Sequence, residues 1–158
     1  MLIKIVDDDQ VFVKKIKDIV YDNFKDIFLD YSIECITSNF EAHYFEKGDI
    51  FFLDIDLKEK NGIKIAEEIR ENNSNAIIIF VSAMNDMIFD SLIVQPFYFI
   101  RKDNFDRDMK IACTLIQKYI NKNHKIITFD FNGKKTAIQL SDIIYLESFL
   151  HEITIHTS

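Results

Sequence analysis

Short apolar runs alternate with helix-periodic segments from the start of the chain to about Asn121, and few folds accommodate that pattern. Leu2–Val6 is a short apolar run that ends abruptly in Asp7-Asp8-Asp9. Beyond it Phe12, Ile16, Ile19, Val20 and Phe24 recur at helical spacing. Tyr31–Thr37 is again strand-like, and Ser38 with Glu41 reads as a capping box opening a short helix. Ile50–Leu53 is fully apolar and leads into Asp54. Gly62–Asn72 places Ile65, Ala66 and Ile69 on one helical face, with Lys64, Glu67, Glu68 and Glu71 on the other. Ala76–Val81 and Phe97–Ile100 are further apolar runs, separated by a short, weakly patterned helix near Asp86–Ile93. Phe105, Met109, Ala112, Ile116 and Ile120 mark a last helix.

Strands that are mostly apolar on both faces, each followed by a helix, imply a parallel sheet covered on both sides. The expected fold is therefore α/β: a five-stranded, doubly wound, flavodoxin-like sheet. A site on such a sheet lies at the carboxyl ends of its strands.

The pattern changes across the polar stretch Asn121–Lys125. Ile127, Phe129 and Phe131 then alternate with polar residues, and Asn132-Gly133 is a strong hairpin-turn signal. Lys134–Leu140, Ile143–Glu147 and His151–His156 continue as β-rich segments. We expect two parts, a domain over 1–122 and a linker with a β-rich fragment over 123–158. The fragment is too small to bury a core alone and reads as the first strands of a truncated second domain.

The strand ends carry the chemistry. Asp7 and Asp8 follow the first strand, and Asp54 and Asp56 follow the third. Each alone would ordinarily be a turn former or helix cap. On neighbouring parallel strands they converge, and packed carboxylates repel unless a cation neutralises them. A hard divalent ion with oxygen ligands suits that demand, and Mg²⁺ is the expected one. Ser82 ends the fourth strand and Lys102 the fifth. A solitary lysine there would ordinarily be a solvated charge. With a hydroxyl and an acidic cluster it is equipment for holding a phosphoryl group.

Composition excludes several alternatives. A net charge of −7 is wrong for a surface devoted to nucleic acid, and from His124 onward three lysines face four carboxylates. No apolar run approaches the roughly 20 residues of a membrane helix, and acid at Asp7 comes too early for a signal peptide. A cytoplasmic protein with no membrane partner is expected. Cys35 and Cys113 each sit in an apolar pattern and read as reduced core residues, and the four histidines show no metal-ligand spacing.

The segments Ile3-Lys-Ile-Val-Asp-Asp-Asp9, Phe51-Phe-Leu-Asp-Ile-Asp-Leu57, Asn61-Gly62, Phe80-Val-Ser-Ala83 and Phe97-Tyr-Phe-Ile-Arg-Lys102 resemble the receiver domains of two-component response regulators, in that family's order and near its spacings, over about residues 1–122. The resemblance implies Asp54 as phosphoacceptor for a sensor histidine kinase. It implies Mg²⁺ held by Asp8, Asp54 and the backbone carbonyl of Asp56, with Asp7 acting through water. Ser82 and Lys102 would hold the phosphoryl oxygens. Phe99 matches the family's switch aromatic, and phosphorylation would bias the face of the fourth helix, fifth strand and last helix, with a homodimer as one outcome. Such a protein is a self-catalysed phosphoacceptor and not an enzyme with a separate substrate. Lys58 and Asp103 stand where the family usually has proline, which leaves the shape of both loops open.

The tail, through Asn132-Gly-Lys134, Asp142-Ile-Ile-Tyr-Leu-Glu-Ser148, His151 and Ile153-Thr-Ile-His-Thr157, resembles the start of a LytTR-type DNA-binding domain. That implies transcriptional output, His151 near DNA, and DNA binding only in a full-length form. Two alternatives stay open. Asp54-Ile-Asp56 also matches the signature of haloacid-dehalogenase-type phosphatases, although their second acidic pair comes after the lysine. A receiver acting only through protein contacts is the other.

Overall fold

The computed structural model describes residues 1–25, 31–58, 60–123, 126–131, 134–139, 143–149 and 152–157. Two compact units divide the chain, Met1–Cys113 and Thr114–Ser158.

Strands β1 (Leu2–Val6), β2 (Ser32–Ile36), β3 (Ile50–Leu53), β4 (Ile77–Ser82) and β5 (Tyr98–Arg101) form one sheet in the order β2-β1-β3-β4-β5, with every pairing parallel. The fold is therefore the doubly wound α/β architecture expected from the apolar runs. Central position explains their composition: Ile50–Leu53 is wholly buried, as are all six residues of β4, because helices cover both sheet faces. Each apolar side chain among them contributes roughly 1.5–3 kcal/mol of burial.

Helix α1 (Gln10–Phe24) begins where Asp9 caps it, its carboxylate accepting from the Val11 amide at 2.8 Å, and it buries Val13, Ile16, Val20 and Phe24. Helix α2 (Gly62–Asn72) has the limits read from the sequence. Asn61 caps it by accepting from the Ile63 amide at 2.8 Å. Helix α3 (Ile88–Ser91) is a single turn between 3₁₀ turns at Asn85–Met87 and Leu92–Val94. Its weak periodicity anticipated that brevity. Helix α4 (Phe105–Asn123) closes the parallel architecture and buries Phe105, Met109, Ala112, Cys113, Ile116 and Ile120.

Two expectations need correction. No capping box forms at Ser38: the segment is a 3₁₀ turn, Ala42–Phe45, preceded by Glu41 with no side-chain cap. Asn39 takes a left-handed φ of 58°, which interrupts a helical start, and the turn instead inserts Phe40 and Phe45 into the core. Cys35 is exposed and not a core residue, since β2 is the edge of the sheet and leaves most of its side chains open; Cys113 is buried as expected.

In the second unit, β6 (Ile126–Phe131) pairs antiparallel with β7 (Lys134–Gln139), and β8 (Ile143–Phe149) with β9 (Glu152–Thr157). The β-rich reading of the tail holds. The Asn132-Gly133 turn and His151 lie outside the described residues.

Candidate functional site

Parallel register brings the carboxyl ends of four strands to one edge. Val6 is level with Leu53, Leu53 with Phe80, and Ser82 with Arg101. The next residue on each of β1, β3 and β5 is Asp7, Asp54 or Lys102, and Ser82 is the last of β4. Asp7, Asp54 and Ser82 are all buried, while Asp8 is half-buried.

Lys102 unites them. Its ammonium donates to Asp54 Oδ2 at 2.7 Å and lies 2.8 Å from Asp7 Oδ2. Below it, 4.7 Å away, is the ring of Phe12, which stands edge-on to Phe105 at 5.4 Å. Phe12 is thus half-buried under the site, and Val13 takes the core position that periodicity had given to Phe12.

Asp54 is oriented from behind. The backbone amide of Ile55 donates to its Oδ1 at 2.7 Å, and that of Asp56 at 3.4 Å. Those bonds turn Oδ2 toward Lys102. Gly62 makes the loop possible: its amide donates to the Ile55 carbonyl at 2.8 Å, and a Cβ there would overlap the Asp54 carbonyl oxygen and lie 2.8 Å from its carbon. The Asn61-Gly62 pair was visible in the sequence. The backbone approach of Gly62 to Asp54 was not, because only the folded loop creates it.

Three carboxylate oxygens, one each from Asp7, Asp8 and Asp54, lie within 4.8 Å of one another. Among the described residues, Asp7 Oδ2 is buried with no partner beyond the Lys102 ammonium. Burial pushes the Asp7 carboxyl above its ordinary value, and the Lys102 ammonium and Asp9 amide pull it only part of the way back. Burial alone would lower Lys102, but its bonds to Asp54 and Asp7 outweigh that and raise it. Three carboxylates against one buried ammonium leave an anionic pocket of oxygen donors, which fits a hard divalent cation. The Asp56 side chain points to solvent. Asp56 and Asn61 form an isolated bridge, and the flanking bonds from Gly62 to Ile55 and from Lys60 to Leu57 do not use the Asp56 carbonyl.

Ser82 Oγ accepts from the Met84 amide at 3.2 Å, which leaves its proton available to a ligand. Phe99 is half-buried against the core, its ring 6.2 Å from that of Phe80. Three contacts escaped the sequence reading. Lys58 lies 3.0 Å from Asp8 Oδ2. Asn85 donates to Asp103 at 3.2 Å, joining the loops after β4 and β5. Arg101 makes a two-pronged pair with buried Asp108, at 2.8 and 3.0 Å, that ties the end of β5 to α4.

Chemically, a carboxylate paired with a lysine lies beside two further converging carboxylates, on the strand edge where Ser82 ends β4, an arrangement compatible with a divalent cation.

Comparison with known proteins agrees with that geometry. The family model described as the response regulator receiver domain matches residues 3–114. The sensory transduction protein LytT of Bacillus subtilis is 28% identical over 117 residues, covering 72% of this chain and 47% of that protein. The chain thus aligns with about half the length of that relative. LytT of Bacillus cereus is 24% identical over 174 aligned positions, covering 99% of this chain and 70% of its own. Among solved structures, the response regulator TrrA of Thermotoga maritima, in complex with Mg²⁺-BeF, is 25% identical with a TM-score of 0.58, over 72% of this chain and 97% of that one. The CheY-like receiver domain protein of Methanospirillum hungatei is 21% identical with a TM-score of 0.62, over 77% and 96%.

Proposed function

Since the chain belongs to the response regulator receiver domain family, we propose that it accepts a phosphoryl group on Asp54 from the phosphohistidine of a sensor histidine kinase. One observation carries this reading: the Lys102 ammonium bridges Asp54 and Asp7 at 2.7 and 2.8 Å, inside a pocket where Asp8 also converges. The family match also tells against the phosphatase alternative.

The chain's own groups divide the work. The Asp54 carboxylate, held at Oδ1 by backbone amides, attacks phosphorus as the bond to the donor nitrogen breaks. Lys102 then exchanges its carboxylate contact for the phosphoryl oxygens, and the free Ser82 proton is donated to another of them. Asp8, Asp54 and the Asp56 carbonyl would hold Mg²⁺, with Asp7 acting through water; when bound, the ion supplies charge neutralisation for the phosphoryl oxygens. Movement of Ser82 toward the new anion would free space for Phe99. That biases the surface of α3, β5 and α4 between two packings and favours a homodimer of the phosphorylated form.

We assign residues 1–122 to the receiver and 123–158 to the linker and first strands of a LytTR-type domain. The alignment with Bacillus cereus LytT over 99% of the chain supports that organisation. On this reading the full protein controls transcription, with His151 near DNA, and works in the cytoplasm. No helix among the described residues is long and apolar enough to cross a membrane.

Phosphate-affinity electrophoresis after incubation with acetyl phosphate tests the metal requirement. A retarded band should form with Mg²⁺ and fail to form with a chelator or in Asp8→Ala. A band of equal intensity without the ion would contradict the reading.

A further inference from the structure

Lys58 lies in the loop after β3, four residues beyond Asp54, and its side chain is 83% exposed. Its ammonium nevertheless reaches Asp8 Oδ2 at 3.0 Å, on a carboxylate that is only 18% exposed. Asp8 is the most open of the three converging carboxylates, because Asp7 and Asp54 are buried and already face Lys102. A solvent-exposed lysine is cationic at neutral pH, so the contact with Asp8 is an ion pair.

We propose that Lys58 is a built-in competitor for the divalent cation, occupying Asp8 in the metal-free protein and leaving it when the ion enters. The inference deepens the function proposed above and rests on that metal site being real. Charge sets the direction of the effect. Asp7, Asp8 and Asp54 carry three negative charges, and Lys102 with Lys58 returns two of them. A divalent ion entering beside both lysines meets a pocket close to neutral. Without Lys58 the same ion meets a more anionic pocket and keeps Asp8 to itself. The solvent-exposed stem lets the ammonium swing away at little cost, so the competition weakens binding without blocking it. Lys58 is thus a tuning residue that raises the Mg²⁺ concentration at which the site fills. It touches no reacting atom.

Calorimetric titration of the full chain with MgCl₂, without any phosphodonor, tests this. Lys58→Gln should tighten Mg²⁺ binding by about two- to five-fold at low salt, the scale of one exposed ion pair. The difference should shrink at high salt, where exposed pairs are screened. Lys58→Arg should behave as wild type. Lys60→Gln, in the same loop but directed to Glu68 at 4.0 Å, should change affinity much less. Equal affinities for wild type and Lys58→Gln would overturn the inference, as would equal tightening by Lys60→Gln. Absence of Mg²⁺ binding in wild type, or binding undiminished in Asp8→Ala, would instead count against the metal site itself.

Discussion

At the scale of single residues, position in the chain and position in the fold carry different information. Asp7, Asp8, Asp54, Ser82 and Lys102 were legible because each stands where an apolar run ends, and parallel strands bring such ends together. The close approach at Gly62 and the Lys58–Asp8 contact were not, because both exist only across a folded loop. The acceptor chemistry predicts that Lys102→Ala slows phosphorylation of Asp54 by about 100-fold, the usual cost of one charge-stabilising donor. A time course with acetyl phosphate at fixed Mg²⁺ reads that rate, and a rate within a factor of two of wild type would argue against Lys102 as the phosphoryl partner. The backbone approach at Gly62 makes a separate prediction. Gly62→Ala should lower unfolding free energy by about 2 kcal/mol or more in urea, since the obstacle is the Asp54 backbone and not a flexible side chain.

Elements were legible in proportion to how deeply they are buried. The sheet's central strands read as apolar runs, and α2 matched its predicted limits because Asn61 caps it and its apolar face is regular. The Ser38–Glu41 box misled, because local capping lost to the burial of Phe40 and Phe45 around a left-handed Asn39. The junction between β5 and α4 was also hidden, because Arg101 and Asp108 face one another only once α4 has packed. That pair has a pH signature. The Arg101 contact holds Asp108 below the ordinary carboxylate value of 3.8. The pair's stabilisation is therefore complete above that ordinary value and disappears as pH falls through the depressed one. Asp108→Asn should lower the melting temperature by a few degrees at neutral pH, and the gap from wild type should close in strong acid. A gap that persists unchanged into acid would assign the effect to packing. The single turn of α3, set between 3₁₀ turns, should show amide hydrogen exchange much faster than that of α2.

For the whole molecule, the sequence showed the change from α/β to β-rich architecture near Asn121 but could not show how the two parts divide. α4 (Phe105–Asn123) runs through the boundary between the compact units, which falls after Cys113. A fragment of residues 1–122 should therefore keep α4 nearly whole and fold cooperatively, whereas one ending at Cys113 cuts the helix after its first nine residues and should melt at a lower temperature. Calorimetric melting of the two fragments makes the comparison. Strands β6–β9 lie in the second unit, while the proposed phosphoacceptor chemistry rests on one carboxylate of the first. Intact-mass measurement after incubation with Mg²⁺ and acetyl phosphate addresses that carboxylate most directly. Wild type should gain the mass of a single phosphoryl group, and Asp54→Ala should gain none; no adduct on wild type, or the same adduct on the variant, would contradict phosphorylation at Asp54.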